Sequence, residues 1–235
     1  MRDRRWLLWT MVLAGAGMLW LVGFTFHQHV WTNYASHVRA TEVRQRLLAE
    51  WEKGDPVSQT KDHDYAQSGR VRQSDAFALL YIPRLGNHVW ATPVLEGVDP
   101  SELNSGVGHY LGTALPGERG NFALAGHRAT NGQPFANFDR LQRGDRIYVR
   151  TFNNWFVYVL DKDLKVKPRD VWVIDEQPGQ ISRQVASSNL MSLVTCDPRW
   201  GSARRWVWWG HLVKTYSSNE VPPEVANFEN ISNFP

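Results

Sequence analysis

LMSLVTCDPRWGSARRWVWWGHLVKT, residues 190–215, contains two runs of β-branched, aromatic and aliphatic residues, 190–196 and 205–215. Asp, Pro, Gly and Ser separate them, the residues that punctuate strands. The stretch therefore reads as strand, turn and strand. Its first strand ends on Cys196, the only cysteine of the chain. A lone Cys cannot form an intramolecular disulfide or a CxxC metal site. Its default role is that of a small buried hydrophobe. Here the thiol stands at a strand exit, where a sheet can hold a side chain at the edge of a surface groove.

Upstream, the same punctuation recurs. Candidate strands cover 76–83, 88–95, 121–126, 145–152, 155–166 and 171–175, which with the opening pair makes eight. Eight strands with little helix predict a closed all-β barrel, the arrangement that leaves no edge unpaired. Asn153 and Asn154 mark a tight hairpin. Short helices are expected at 100–103, 134–141 and 168–170.

Before the barrel lies a different pattern. Trp6 to Phe26 is 21 residues without a charge, long enough to cross a bilayer. A cleaved signal peptide is the competing reading, but its apolar core normally spans about 7–15 residues and ends in a small-residue cleavage site. Here Ala14, Gly15, Ala16 and Gly17 lie inside the run, which favours an uncleaved anchor. Arg2, Arg4 and Arg5 precede it and no Lys or Arg follows until Arg39, so the N-terminus is expected in the cytoplasm and the rest outside. Residues 36–53 read as a helix continuing off the anchor, stopped by Gly54. The polar stretch 55–75 reads as a flexible tether, and 217–235, with three acids and no Lys or Arg, as a disordered tail. The expected boundaries are a cytoplasmic tail 1–5, an anchor 6–26, helix and tether 27–75, a barrel 76–216 and a tail 217–235.

At 235 residues and 43% apolar composition the chain has room for one core of ordinary size. Its pI of about 9.1 is in the range of nucleic-acid-binding chains, yet the net charge is only +3 and no basic stripe is present. Nucleic-acid binding is therefore not expected.

A thiol attacks as thiolate, which needs positive charge nearby. His127 closes the run 121–126 and can give and take a proton near neutral pH. Arg205 opens the last strand, and its planar fork of donors suits a carbonyl or oxyanion. Arg204 stands directly before it, so two registers are available; we take Arg205.

These residues carry a resemblance to the sortase family. Its Thr-Leu-any-Thr-Cys strand appears as Ser192-Leu193-Val194-Thr195-Cys196, with Ser for the first Thr. Its catalytic His follows Ala-Gly, as His127 follows Ala125-Gly126, and its Arg opens the strand after the Cys, as Arg205 does. YIPRLG (81–86), GVGHYLGTALPGERGNFALAGHR (106–128) and VTCDPRW (194–200) are similar to class E sortases of actinobacteria, Gram-positive organisms.

The resemblance implies an eight-stranded sortase barrel and a cysteine transpeptidase of the cell surface. It implies Cys196 as nucleophile, His127 as proton donor and acceptor, and Arg205 as oxyanion clamp. Ala123, Ala125, Leu193 and Thr195 are implied as peptide-binding residues. The implied substrate is a sorting signal, Leu-Pro-any-Thr-Gly or Leu-Ala-any-Thr-Gly, cut after Thr. The implied acceptor is an amine, from a cell-wall precursor or a pilin lysine. Neither metal nor other cofactor is expected, since no residues match a calcium site. Departures are the tryptophans at 206, 208 and 209, and Asp55-Pro56, which has Val57 where a pilin-type lid carries an aromatic residue. The alternatives are a pilin-polymerising sortase and a non-catalytic surface scaffold with a buried, inert Cys196. Papain-like and L,D-type wall enzymes differ in residue order or in the motif before the Cys.

Overall fold

The computed structural model describes residues 3–54, 71–179 and 189–232. Strands β1 (Ala76–Tyr81), β2 (Thr92–Glu96), β3 (Val107–His109), β4 (Gly120–Ala125), β5 (Arg146–Arg150), β6 (Asn154–Val166), β7 (Asn189–Asp197) and β8 (Arg204–Ser217) close a barrel. Their order around it is β1-β2-β3-β4-β7-β8-β6-β5. β4 and β7 lie side by side and parallel. Both are buried on two faces, which is why they read as unbroken apolar runs rather than alternating ones.

Period-2 alternation sorts the side chains. Leu80, Phe122, Leu124, Ile147, Tyr158, Met191, Leu193 and Trp208 fill the barrel. Leu190, Val194, Val207 and Trp209 face outward, under a second cluster formed with Val166 and Val173. Each fully buried side chain of this size contributes about 1.5–3 kcal/mol.

The barrel has the expected number of strands, but not the expected set. Residues 171–175 are not a strand: Val171–Ile174 form a 3-10 turn lying over the outside of the barrel. A closed barrel has no edge to offer them, and they pack by side chains instead. Trp172 stacks on Trp209 at 6.0 Å, and the Val173 carbonyl accepts Trp209 Nε1–H at 2.9 Å. The strand missing from the expectation is β3. It is three residues long and flanked by glycine, too short for a period to show. Gly106 and Gly108 are required there, because an added Cβ would lie 2.3 Å from the carbonyls of Pro93 and Gly97. β2 starts at Thr92, since Pro83–Val89 form a 3-10 stretch with Gly86 at φ +61°. The hairpin at Asn153-Asn154 is present, with Thr151 N–H donating to Asn154 O at 2.8 Å.

Helix α1 (Asp3–Phe26) contains the apolar span Trp6–Phe26, mean hydropathy 1.9, none of it buried by the rest of the chain. A π-helical turn, His27–Trp31, leads without a break into α2 (Thr32–Glu52). α3 (Pro100–Leu103) is the short helix expected there. Most of the expected tether, 55–70, lies outside the described residues, as does Asp55-Pro56. The tail is corrected in part. Pro223–Ser232 form α4, whose Val225 is fully buried against Leu47 and Trp155 and whose Glu224 pairs with Arg146. Low charge balance hid one apolar anchor.

Candidate active site

Cys196 is the penultimate residue of β7 and half-buried. Its neighbour across the sheet on β8 is Arg205, and the next pair is Asp197 with Arg204. Directly opposed residues share a face and successive ones alternate. Arg205 thus stands on the thiol's face, and Arg204 on the other. Arg204 is committed elsewhere, its Nη2 2.7 Å from Asp197 Oδ2. Of the two adjacent arginines, the register puts Arg205 beside the thiol.

His127 arrives from β4. The parallel register pairs Ala125 with Val194, and beyond it Gly126 N–H donates to Val194 O at 3.1 Å while Thr195 Oγ1 donates to Gly126 O at 2.7 Å. These bonds carry the pairing past the end of β4 and bring His127 level with Cys196. Gly126 must be glycine, since a Cβ would lie 2.7 Å from the Phe135 ring. Phe135 N–H in turn donates to His127 O at 3.0 Å. Arg205 Nη1 donates to the carbonyls of Ser202 and Arg204, each at 3.2 Å, which pins one nitrogen of its fork.

Burial pushes the His127 imidazole below its usual 6.5, and its Nε2 is buried with no partner among the described residues. The imidazolium therefore costs more in the folded than in the unfolded chain. Between the folded value and 6.5 the unfolded chain binds the extra proton, so stability falls as pH drops through that window. NMR titration of His127 is expected to give a midpoint below 6.5, and a midpoint at or above it contradicts this account.

Beneath the thiol is an ionic cluster that the sequence reading did not anticipate. Asp197 is only 5% exposed, with Arg128 Nη1 at 3.2 Å, Lys165 Nζ at 3.1 Å and Arg204 Nη2 at 2.7 Å. Burial alone raises its carboxyl, but the hydrogen bonds and charges of Lys165 and Arg204 outweigh that and hold it below its ordinary value. Arg128 also lies over the Trp206 ring at 4.9 Å, and Lys165 at 4.1 Å. Trp206 thus roofs the cluster, which accounts for one of the bulky residues of β8. Nothing in the residue pattern pointed to Arg128 beyond its place next to His127.

Of the four residues expected to bind peptide, Ala123 and Ala125 lie on the outward face that leads to His127, alternating with the interior Phe122 and Leu124. Leu193 and Thr195 do not belong there. Leu193 is barrel core, and Thr195 points to the face opposite Cys196 with its hydroxyl bound to Gly126 O. A two-residue period puts Val194 and Ser192 on the thiol's face instead, and the Ser192 hydroxyl is already bound to Asn121 Oδ1 at 2.9 Å. Tyr110 was missed. Its hydroxyl lies in the fields of both Arg205 and Cys196; burial raises its pKa, Arg205 lowers it and Cys196 raises it.

A second His with a carboxylate partner, His109, is buried against Phe122. His109 Nδ1 lies 2.6 Å from Glu96 Oε2, and Nε2 lies 2.9 Å from Thr113 Oγ1 and 3.1 Å from Ala114 O. Both ring nitrogens are thus occupied by hydrogen-bond partners within the barrel. Among the described residues no three His, Cys, Asp or Glu side chains form a metal-holding group.

Comparison with known proteins gives consistent matches. The Sortase domain family model matches residues 80–213. Sortase SrtE1 of Streptomyces coelicolor is 35% identical over 221 residues, covering 91% of this chain and 58% of its own length. Sortase SrtE2 of the same organism is 28% identical, covering 86% and 80%. Among solved structures, sortase E of Streptomyces avermitilis superposes with a TM-score of 0.59 at 41% identity, covering 66% of this chain and 98% of that one. Sortase E1 from S. coelicolor, solved with a tripeptide in its active site, gives 0.56 at 33% identity, covering 66% and 99%. The chain spans a little over half the length of SrtE1, the first of these relatives.

Proposed function

This chain belongs to the sortase family, and from that premise we propose that it is a membrane-anchored cysteine transpeptidase working outside the cell. α1 crosses the membrane with the arginines at 2, 4 and 5 inside, by the excess of positive charge on that side. The barrel faces out and acts on the sorting signals of secreted proteins, Leu-Pro/Ala-any-Thr-Gly.

Cys196 thiolate attacks the Thr carbonyl carbon. The oxyanion that forms is held by the Arg205 fork. As the C–N bond breaks, the His127 imidazolium gives its proton to the departing Gly amine, leaving a thioester on Cys196. An incoming amine then attacks the thioester, His127 takes its proton, and the thiolate leaves. The acceptor is a cell-wall precursor amine or, in a pilin-polymerising variant, a lysine. The outward face beside Ala123, Ala125 and Tyr110 holds the peptide, and no cofactor enters any step.

One observation carries this reading: the pairing of Cys196 with Arg205 across β7 and β8, with the His127 exit of β4 alongside. A scaffold domain has no use for that convergence.

Intact-mass spectrometry of the protein incubated with Leu-Pro and Leu-Ala sorting peptides is expected to show the acyl fragment through Thr bound as a thioester to Cys196. No adduct with either peptide, from protein whose thiol still reacts with iodoacetamide, ends the proposal.

A further inference from the structure

The helix that leaves the membrane is fastened to the active-site end of the barrel. Asn33 Oδ1 accepts Gly132 N–H at 2.9 Å, and Ser36 Oγ donates to Asn104 O at 2.6 Å. Ser36 packs against Gly132, where φ is +81° and a Cβ would lie 3.1 Å from the Ser36 Cβ, so any other residue there is strained. Gly132 sits in the loop that follows His127. Its neighbour Gln133 accepts Arg199 Nη2–H through Oε1 at 2.9 Å, and Arg199 lies in the turn joining Cys196 to Arg205. The first turn of α2 is thus connected through two loops to the thiol.

A second attachment lies further along. Leu47 of α2 is buried among Tyr81, Tyr148 and Trp155 on the outside of the barrel. Leu47 follows Asn33 by fourteen residues, about 21 Å of helix, and two fastenings that far apart prevent the rod from swinging. Between Phe26 and Glu52 the chain is helical throughout and contains neither Gly nor Pro. Asn33 comes seven residues after Phe26, where the apolar span ends, and at about 1.5 Å per residue that is about 10 Å. Trp31 and Tyr34 are exposed on this stretch, and Trp200, beside Arg199, is 64% exposed. Aromatic residues of this kind suit the headgroup layer.

We propose that α2 is a strut of fixed length that fastens the loops beside Cys196 about 10 Å beyond the hydrocarbon layer, and that its partner is a peptide still inserted in the same membrane. An extended residue spans about 3.3–3.6 Å, so the bond it presents lies about three residues from its own apolar span. Substrates with longer spacers reach Cys196 less often, because their ends spread over a larger volume. This inference rests on the reading above that α1 spans the membrane and Cys196 attacks a peptide.

The full chain, reconstituted in vesicles of phosphatidylcholine and phosphatidylglycerol, is given membrane-inserted substrates with graded Gly-Ser spacers between motif and apolar span. A soluble sorting peptide is measured in the same vesicles. A helical heptad inserted between Trp31 and Thr32 raises the barrel by about 10 Å while leaving the fastenings in place, and it is expected to move the optimal spacer by about three residues. Its soluble-peptide turnover is expected to stay within about two-fold of the parent, the range of a surface change. The double variant Asn33→Ala, Ser36→Ala is expected to broaden the spacer optimum, again without changing soluble turnover. An optimum that does not move with the heptad, or rates indifferent to spacer length in both proteins, overturns the strut. Absence of soluble-peptide turnover in the parent overturns instead the transpeptidase reading beneath it.

Discussion

Replacing Cys196 by Ala leaves a folded barrel that forms no thioester and loses turnover of sorting peptides by about 10⁴–10⁶-fold, the scale seen when the nucleophile of a concerted set is removed. Folding survives because the side chain is half-buried at the end of β7, outside the interior packing of Met191 and Leu193. Truncation there falls within the small effects typical of sites without a cavity or a lost partner, about 1 kcal/mol or less. The backbone around it is held independently, by the β8 pairing and by Arg128 and Thr195. Intact mass with both peptides reads the chemistry, and circular dichroism melting reads the fold. A thioester-sized adduct on the Cys196→Ala protein would place the nucleophile elsewhere in the chain. His127 and Arg205 cannot substitute for the sulfur: one is a proton carrier held partly neutral by burial, the other a permanent cation.

Which parts of this arrangement could be read before any coordinates follows from the range of the signals involved. β7 and β8 announce themselves because Leu190 to Cys196 and Arg205 to Thr215 are long, bounded by Pro and Gly, and rich in residues that fit a pleated surface. β3 could not be read, since a period needs more than Val107, Gly108 and His109 to show itself. Val171–Ile174 has strand composition, but composition reports burial and not pairing; with the barrel closed, that burial is met by stacking on Trp209. The three chemistry-bearing residues were legible because each ends or begins a strand and the family pattern marks it. For the four residues expected to bind peptide, the face each side chain takes was not legible. Leu193 and Thr195 belong to the same motif as Cys196, yet motif membership does not say which face a side chain takes, and only the register separates Thr195 from Val194. Ionic and hydrogen-bonded supports are harder still. Arg128 meets Asp197 across 69 positions of sequence, and neither residue type is distinctive alone.

Asp197→Ala is expected to lower stability by about 3 kcal/mol, and its size follows from asking which partner is left stranded. Lys165 and Arg204 are partly exposed and recover water when the carboxylate goes, so their pairs contribute about 0–1 kcal/mol each. Arg128 is different. Its side chain is 7% exposed, and its remaining acidic neighbour, Asp139 at 3.3 Å, is 60% exposed and a weak substitute. Stranding a buried guanidinium costs about 3–5 kcal/mol, and the Asp139 contact together with the Trp206 face places this case at the low end. For a barrel of this size about 3 kcal/mol corresponds to a melting temperature about 10 °C lower. The same carboxylate sets an acid limb. Its folded pKa is depressed, so its contribution is fully present above the ordinary value of 3.8 and is lost as pH falls through the folded value. Melting curves of parent and Asp197→Ala protein should therefore converge below that pH, while Arg204→Ala should track the parent within about 1 kcal/mol throughout. Equal losses in the two variants would mean that Arg128 is not the stranded charge, and that the platform under Cys196 is held by backbone pairing alone.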